Sequence, residues 1–265
     1  MKGSAFASTL PEKPTRDRED MIVSAVHLMQ HYPLRWAAIS SQRLLEGKER
    51  SLILYVSVDA LMIGDEEDRF RINVTHTGAQ MIADTLGLTL PTSKIADLIH
   101  EQAGKVISPA IQTPNKEMAY TSRMLQHSCT VGLKKGGFSG LASPVGKHWI
   151  LSNKMFEGKD VGVNYGWHDL RAPKTTWNTS PGGIRLWQNV GTKHDRWHVD
   201  YSQVLVLVHR SALLNGDNVD VHDIMVDPVL HPLVSYEGPL RGTRHPDVPP
   251  PEHGVVPALP LSVKS

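Results

Sequence analysis

The chain has 265 residues, of which 40% are hydrophobic and 21% are charged, a composition typical of a soluble globular protein. Its 28 basic and 27 acidic residues leave a net charge of +1. We therefore expect no general nucleic-acid binding, which needs a strongly basic surface. The single cysteine, Cys129, excludes an intramolecular disulfide.

The N-terminus lacks the long apolar core of a signal peptide, and no segment is long and apolar enough to span a membrane. We expect the protein in the cytoplasm, or released by lysis or carried in a virion. Residues 1–16 contain charged and proline residues with little apolar material. They are predicted to form a flexible arm.

Helical spacing of apolar residues dominates the first half of the chain. It predicts helices over 16–29, 34–45, 77–86, 93–102 and 116–130. Gly47 is interpreted as the end of the second of these, and Thr92 or Ser93 as the cap of the fourth. A short β-branched run over 51–58 predicts a buried strand.

Strand patterns dominate the second half, with Gly and Pro clusters between them. They predict strands over 149–152, 161–165, 184–187 and 204–208. This segregation favours an α+β fold in which a helical N-terminal half packs on a mainly antiparallel C-terminal sheet. We expect one domain over 17–238, followed by a proline-rich extended tail over 239–265.

Chemically versatile side chains are concentrated in two short segments. Tyr165–His168 reads Tyr-Gly-Trp-His, and His194–Ser202 reads His-Asp-Arg-Trp-His-Val-Asp-Tyr-Ser. Imidazole, carboxyl, hydroxyl and phenol groups carry out acid–base, nucleophilic and metal chemistry. The two segments therefore predict a functional site, although a Trp-His pair at a strand end is also common in a packed core.

These segments, with Leu90–Asp97 and Asn153–Lys154, resemble an uncharacterised protein family of bacteria, fungi and phages. Its members carry a Leu-Pro-Thr-Arg-Lys helix start, a Tyr-Gly-Trp-His strand and a later His…Asp-Tyr-Ser-His-Gly segment. The resemblance covers roughly residues 50–240 and implies a site but no reaction. The chain departs from the pattern at His198, Gln203 and Val206, where the family has Tyr, His and Arg.

The pattern leaves three chemistries open. In nucleophilic hydrolysis, Ser202 attacks, a histidine accepts its proton and Asp200 orients that histidine. A zinc ion at His194, His198 and Asp200 is a second possibility, and otherwise we expect no metal or cofactor. In acid–base catalysis, a histidine is the base and Tyr201 the acid.

We expect four residues to be catalytic: His168, His194, Asp200 and Ser202. Five residues are expected to bind substrate: Tyr165, Trp167, Tyr201, Lys94 and Asn153. The predicted function is a hydrolase that acts on a cell-wall or surface polymer, either glycan or peptide. The alternative is a non-catalytic virion or assembly protein, which could form homo-oligomers. For the enzyme, we expect the side chains of the two segments to line one shared pocket.

Overall fold

A computed structural model describes residues 1–250 of the chain. Within them the α-helices are α1 (Gly3–Ala7), α2 (Arg16–His27), α3 (His76–Thr85), α4 (Ser93–Glu101), α5 (Thr121–Lys135) and α6 (Val221–Val226). Two 3₁₀ turns span Asn153–Phe156 and His231–Leu233. The strands are β1 (Trp36–Leu45), β2 (Lys48–Ser57), β3 (Met62–Gly64), β4 (Arg69–Arg71), β5 (Leu88–Thr89), β6 (Lys105–Val106), β7 (Ala142–Ser143), β8 (Lys147–Trp149), β9 (Val161–His168), β10 (Leu186–Asp195), β11 (Gln203–Val204), β12 (Val208–His209), β13 (Ser211–Leu214) and β14 (Asp217–Asp220).

The described residues contain two larger sheets and two two-stranded sheets, β3-β4 and β6-β7. The larger sheet has six antiparallel strands in the order β14-β13-β2-β12-β5, with β1 also paired to β2. The smaller sheet has the order β10-β9-β8-β11, in which only β8 and β11 run parallel. The larger sheet combines strands from both ends of the chain. The smaller sheet contains the predicted site segment Tyr165–His168 in β9, and the segment His194–Ser202 connects its strands β10 and β11.

The α+β class is confirmed, but the predicted layout is not, because strands begin at residue 36 and alternate with helices from there on. The predicted helix over 34–45 is wrong: this segment is strand β1, paired along its whole length with β2. Glu46 and Gly47 join the two strands with φ values of 48° and 73°. Two consecutive residues with positive φ form the tight turn of a β-hairpin, so Gly47 ends a strand rather than a helix.

Three predicted helices are confirmed within about two residues: α2, α3 and α4. Each begins at a threonine whose hydroxyl accepts a hydrogen bond from a first-turn N–H group. Thr92 is the residue that caps α4, by accepting from the Ile95 N–H. The predicted helix over 116–130 begins and ends later, as α5.

The N-terminal segment packs against the rest of the chain instead of forming a flexible arm. Phe6, Ala7 and Leu10 belong to the main hydrophobic cluster, which also contains Leu240. The Gly3 N–H donates to the Asp68 carbonyl at 2.7 Å. The arm was predicted from its low apolar content, but three apolar side chains suffice to hold it to the core.

Residues 239–250 of the predicted tail contain no helix or strand, and Leu240, His245 and Val248 within them are buried. Arg244 forms an ion pair with Asp84 of α3. The remaining part of the predicted tail, 251–265, lies outside the described residues. Among residues 1–250, no helix has the length and apolar character needed to cross a membrane.

Candidate functional site

The end of strand β9 has an irregular backbone. Gly166 and Trp167 have φ values of 129° and 56°, and a bulky residue in the left-handed region is uncommon and strained. In a regular strand Tyr165 and His168 would face opposite sides. Here both side chains contact the carboxylate of Asp97. The irregular backbone therefore turns His168 to the same side as Tyr165.

Asp97 of α4 is the centre of a buried hydrogen-bond network. Its Oδ1 atom accepts from the Tyr165 hydroxyl at 2.6 Å and from His168 Nε2 at 2.8 Å. Its Oδ2 atom accepts from the Tyr236 hydroxyl at 3.0 Å. We call these four residues the Asp97 network. Asp97, Tyr165 and His168 have no exposed surface, so each donor depends on this carboxylate.

The carboxylate also determines the tautomer of His168. A carboxylate only accepts hydrogen bonds, so Nε2 carries a proton, and the neutral form of the ring has its lone pair on Nδ1. Nδ1 is buried and has no hydrogen-bond partner among the described residues. Burial and the Asp97 charge raise the pKa of both Tyr165 and Tyr236, so both phenols remain donors.

Two further histidines surround His168. The ring of His100 stacks on it with centroids 4.6 Å apart. His148 is buried, and neither of its ring nitrogens has a partner within residues 1–250. Burial, with a smaller effect of His168, lowers the pKa of His100 to about 4 and that of His148 to about 3. Both rings are therefore neutral at neutral pH.

Lys94 lies on the same helix as Asp97 but is not available to bind a substrate. Its side chain is buried, and its ammonium donates to the Pro232 carbonyl. The ammonium lies 5.4 Å from the centre of the Tyr236 ring. Burial, and secondarily the Arg43 charge, lower its pKa to about 8. Lys94 thus holds the segment that carries Tyr236 against α4.

Asp200 forms a second cluster, with Lys147 and Ser202. Lys147 Nζ donates to its Oδ2 atom at 2.8 Å, and the Ser202 hydroxyl donates to its Oδ1 atom at 2.5 Å. The Ser202 N–H donates to the same Oδ1 atom at 2.7 Å. Burial alone would raise the pKa of Asp200, but Lys147 and Ser202 together lower it. We call these three residues the Asp200 cluster.

Aromatic rings lie over this cluster. The Lys147 ammonium is 5.1 Å from the centre of the Trp167 ring. Trp167 and Tyr201 have ring centroids 6.2 Å apart. The Tyr201 hydroxyl accepts from the Gln112 N–H at 2.9 Å. Tyr201 is buried, so its main contacts are with the protein itself.

His194 and His198 form a half-buried pair whose rings stack with centroids 3.7 Å apart and 4° between their planes. Burial lowers the pKa of both, and the Lys147 charge lowers that of His194 further. The charges of Lys147 and Asp200 act on both rings, so this pair lies beside the Asp200 cluster.

The Asp97 network and the Asp200 cluster lie on opposite faces of the smaller sheet. Lys147 and His148 are consecutive residues of β8, so their side chains point to opposite faces. Lys147 contacts Asp200, whereas His148 is opposite Tyr165 in the β8–β9 register and faces the Asp97 network. The expected shared pocket is therefore not formed.

This separation corrects the expected hydrogen-bonded chain of Ser202, a histidine and Asp200. Within the described residues the Ser202 hydroxyl contacts Asp200 directly, and no imidazole lies between them. His168 has Asp97 as its partner instead. The smaller sheet separates the two groups because β8 alternates its side chains between both faces.

Asn153 has a structural contact with the chain after Tyr236. Its amide donates to the Pro239 carbonyl at 3.1 Å, and its Oδ1 atom accepts from the Arg241 N–H at 2.7 Å. These bonds hold residues 237–241 against the 3₁₀ turn at Asn153–Phe156. The Asn153 amide group is therefore bonded to the backbone of this segment and is not directed at the Asp97 network.

Sequence reasoning missed Asp97, Tyr236 and Lys147 as site residues. Asp97 stands in the Leu-Pro-Thr-Ser-Lys helix, three residues after Lys94, where a side chain falls on the same helix face. That spacing could have identified it. Tyr236 and Lys147 lie in segments without any motif, and only the fold brings them to the two clusters.

Among residues 1–250, no group of three or more His, Cys, Asp or Glu side chains is arranged to hold a metal ion. The zinc set suggested by His194, His198 and Asp200 is not assembled, because Lys147 and Ser202 occupy both Asp200 oxygens. Comparison of the chain with protein-family models, curated proteins and solved structures found no match.

Proposed function

We propose that the protein is a hydrolase in which His168, oriented by Asp97, is the acid–base group. The observation that carries this proposal is the 2.8 Å contact between His168 Nε2 and Asp97 Oδ1, together with a His168 Nδ1 atom that has no partner among the described residues. A histidine whose far nitrogen is held by a carboxylate is the base–orienter pair of many hydrolases.

In this mechanism His168 Nδ1 removes a proton from water as the water attacks the substrate carbonyl or glycosidic carbon. The Asp97 carboxylate holds the tautomer and stabilises the imidazolium that forms. Tyr165 and Tyr236 hold the carboxylate in place through their hydroxyl groups. At a carbonyl, the proton then passes from His168 to the leaving group; at a glycosidic bond, His168 acts only as the base, and the leaving oxygen takes its proton from solvent water.

Access to His168 requires a movement of the loop 169–185 between β9 and β10. Gly182 of this loop lies so close to the Asp97 network that a Cβ atom there would be 2.4 Å from the Tyr236 hydroxyl and 3.2 Å from Asp97 Oδ2. His168 itself is completely buried. On this proposal, opening of the loop admits substrate to the Asp97 network, and its closure keeps the attacking water in place while it excludes bulk solvent.

The proposed substrate is a cell-wall or surface polymer, with a glycan favoured over a peptide. Trp177 in the loop is 51% exposed, and Trp187 just after it is 37% exposed. Flat aromatic rings that face solvent suit the apolar faces of sugar rings. On this proposal the Asp200 cluster stabilises the segment after β10 and takes no part in the reaction.

The test is turnover of soluble peptidoglycan fragments and surface polysaccharides, measured as released reducing ends and released amines. His168→Gln and Asp97→Asn are expected to lose activity by a factor of about 100 or more. His198→Gln, on the opposite face of the sheet, is the matched control and should keep its activity. Full activity in a cooperatively folded His168→Gln variant would contradict the proposal.

A non-catalytic assembly protein is the second candidate, favoured by the complete burial of Asp97 and His168. On this alternative the Asp97 network only joins α4, β9 and the Tyr236 segment. Light scattering after size-exclusion chromatography separates the two. A stable oligomer without turnover of any glycan or peptide substrate would support assembly, and a monomer with turnover would exclude it.

A further inference from the structure

Arg18 of α2 is a buried cation without an ion-pair partner. It is 2% exposed, and its Nη1 atom donates to the Ala119 carbonyl at 2.6 Å and to the Thr121 hydroxyl at 3.4 Å. Its Nε and Nη2 atoms have no hydrogen-bond partner, and no carboxylate lies within ion-pair distance, among residues 1–250. Burial lowers its pKa, and the more distant charges of Glu19 and Glu12 oppose this effect in part.

Arg71 is a buried arginine of the same chain whose charge is balanced by a carboxylate. It is 6% exposed, and its Nε and Nη2 atoms donate to the two oxygens of Asp59 at 2.8 and 2.7 Å. A buried guanidinium is normally paired in this way because desolvation of an isolated charge is costly. The corresponding two nitrogens of Arg18 have no such carboxylate.

A pocket of about 130 Å³ lies beside Arg18, and Thr15, Arg16, Thr75 and Trp197 also line it. Arg16 stacks on the Trp197 ring, with Cζ 3.3 Å from the ring centre. The pocket therefore has two guanidinium groups and an aromatic wall, and it has room for several water molecules. Two cations around one small pocket attract a negatively charged group.

The pocket also lies at the N-terminus of α2. Thr15 caps this 12-residue helix by accepting from the Arg18 N–H at 3.3 Å. The positive end of the helix dipole and the free N–H groups of the first turn favour anions at this position. This contribution adds to that of the two arginine side chains.

Glu19 is the one acidic residue that lines the pocket. Its Oε1 atom accepts from the Thr75 N–H at 3.0 Å and from the Thr75 hydroxyl at 2.6 Å. Burial raises its pKa despite these bonds. Its carboxyl group is thus held by Thr75 at the N-terminus of α3.

We propose that this pocket binds a small oxyanion group, a carboxylate or a phosphate, through Arg18 and Arg16. A guanidinium binds both groups through two parallel N–H donors, and Arg18 Nε and Nη2 supply such a pair. Binding would compensate the buried charge of Arg18 from outside the protein. This site is distinct from the Asp97 network, and its occupation needs no turnover.

The test is a titration of the full chain with acetate and with inorganic phosphate, at constant ionic strength set with sodium chloride. Thermal unfolding and the Trp197 indole N–H signal in NMR report binding. We expect a saturable rise in Tm and a saturable shift of that signal with at least one of the two anions. The anion that acts identifies the ligand as a carboxylate or a phosphate.

Arg16→Gln should weaken this binding at least about tenfold, since a charge-assisted hydrogen bond contributes that much. Arg16 is exposed, so its replacement avoids the folding problem expected for Arg18→Gln. Arg43→Gln, on the distant strand β1, is the matched control for loss of one exposed arginine charge. Equal behaviour of both anions and chloride, or equal weakening in Arg16→Gln and Arg43→Gln, would overturn the proposal.

Discussion

His168 Nε2 lies 2.8 Å from Asp97 Oδ1, and neither side chain has any exposed surface. This contact joins strand β9 to helix α4 across the face of the smaller sheet. Two tyrosine hydroxyls share the same carboxylate. Because one acceptor serves three donors in the interior, the stability of this region depends on Asp97.

Asp97→Ala is expected to lower the free energy of unfolding by at least about 3 kcal/mol, since it leaves three buried donors without an acceptor. Urea unfolding followed by circular dichroism measures this. Asp217→Ala, at an exposed position of β14, is the control and should change stability by less than about 0.5 kcal/mol. A similar small effect of Asp97→Ala would contradict the description of the Asp97 network.

Lys147→Met is expected to destabilise the protein by about 3–5 kcal/mol, because it leaves the buried Asp200 charge uncompensated. Adding Asp200→Asn should recover part of this loss, since the amide oxygen still accepts from Ser202 and carries no charge. Lys154→Met removes a cation from an exposed pair and should cost less than about 1 kcal/mol. Chemical denaturation of all three variants gives the comparison.

Stability should fall as the pH drops from 6.5 towards 4. Burial lowers the pKa of His127 to about 4 and that of His148 to about 3. The unfolded chain, with an ordinary histidine pKa of about 6.5, therefore takes up these protons first. Above that pH the rings are neutral in both states and their titration has no effect on stability; below it, each ring lowers the free energy of unfolding by up to about 1.4 kcal/mol per pH unit.

His148→Gln and His127→Gln should each reduce this acid sensitivity, measured as Tm against pH, while the exposed His27→Gln should not. Asp59 and Asp200 have lowered pKa values, so their ion pairs weaken only at pH below about 3.8. The two pH ranges are therefore distinct. A Tm that is constant between pH 6.5 and 4 would argue against neutral buried imidazoles.

Gly182→Ala should disturb the contact between the loop 169–185 and the Asp97 network, at a cost of about 1–3 kcal/mol. Its Cβ atom would lie 2.4 Å from the Tyr236 hydroxyl. In a Tyr236→Phe background that oxygen is absent, so the same change should cost less. A double-mutant cycle from unfolding free energies measures the difference. Strict additivity would show that Gly182 does not press on Tyr236.

Sequence patterns predicted correctly those elements whose structure depends on residues close together in the chain. Helices α3 and α4 follow from apolar spacing and from the threonines that cap them, and both groups interact within one or two turns. The segment at Trp36–Leu45 shows the limit of such signals. Its alanines and leucines fit a helix locally, but ten residues of pairing with β2 make it a strand.

The sequence by itself determined the α+β class, the helices with clear caps and the two segments rich in histidine. Only the tertiary structure decided which of those side chains meet. The left-handed conformation of Trp167 turns His168 to the side of Tyr165. The alternation along β8 directs Lys147 and His148 to opposite faces of the sheet. The residues that meet are far apart in the chain, so no local sequence pattern predicts their contact. His168 therefore pairs with Asp97 and not, as expected from the sequence, with Asp200.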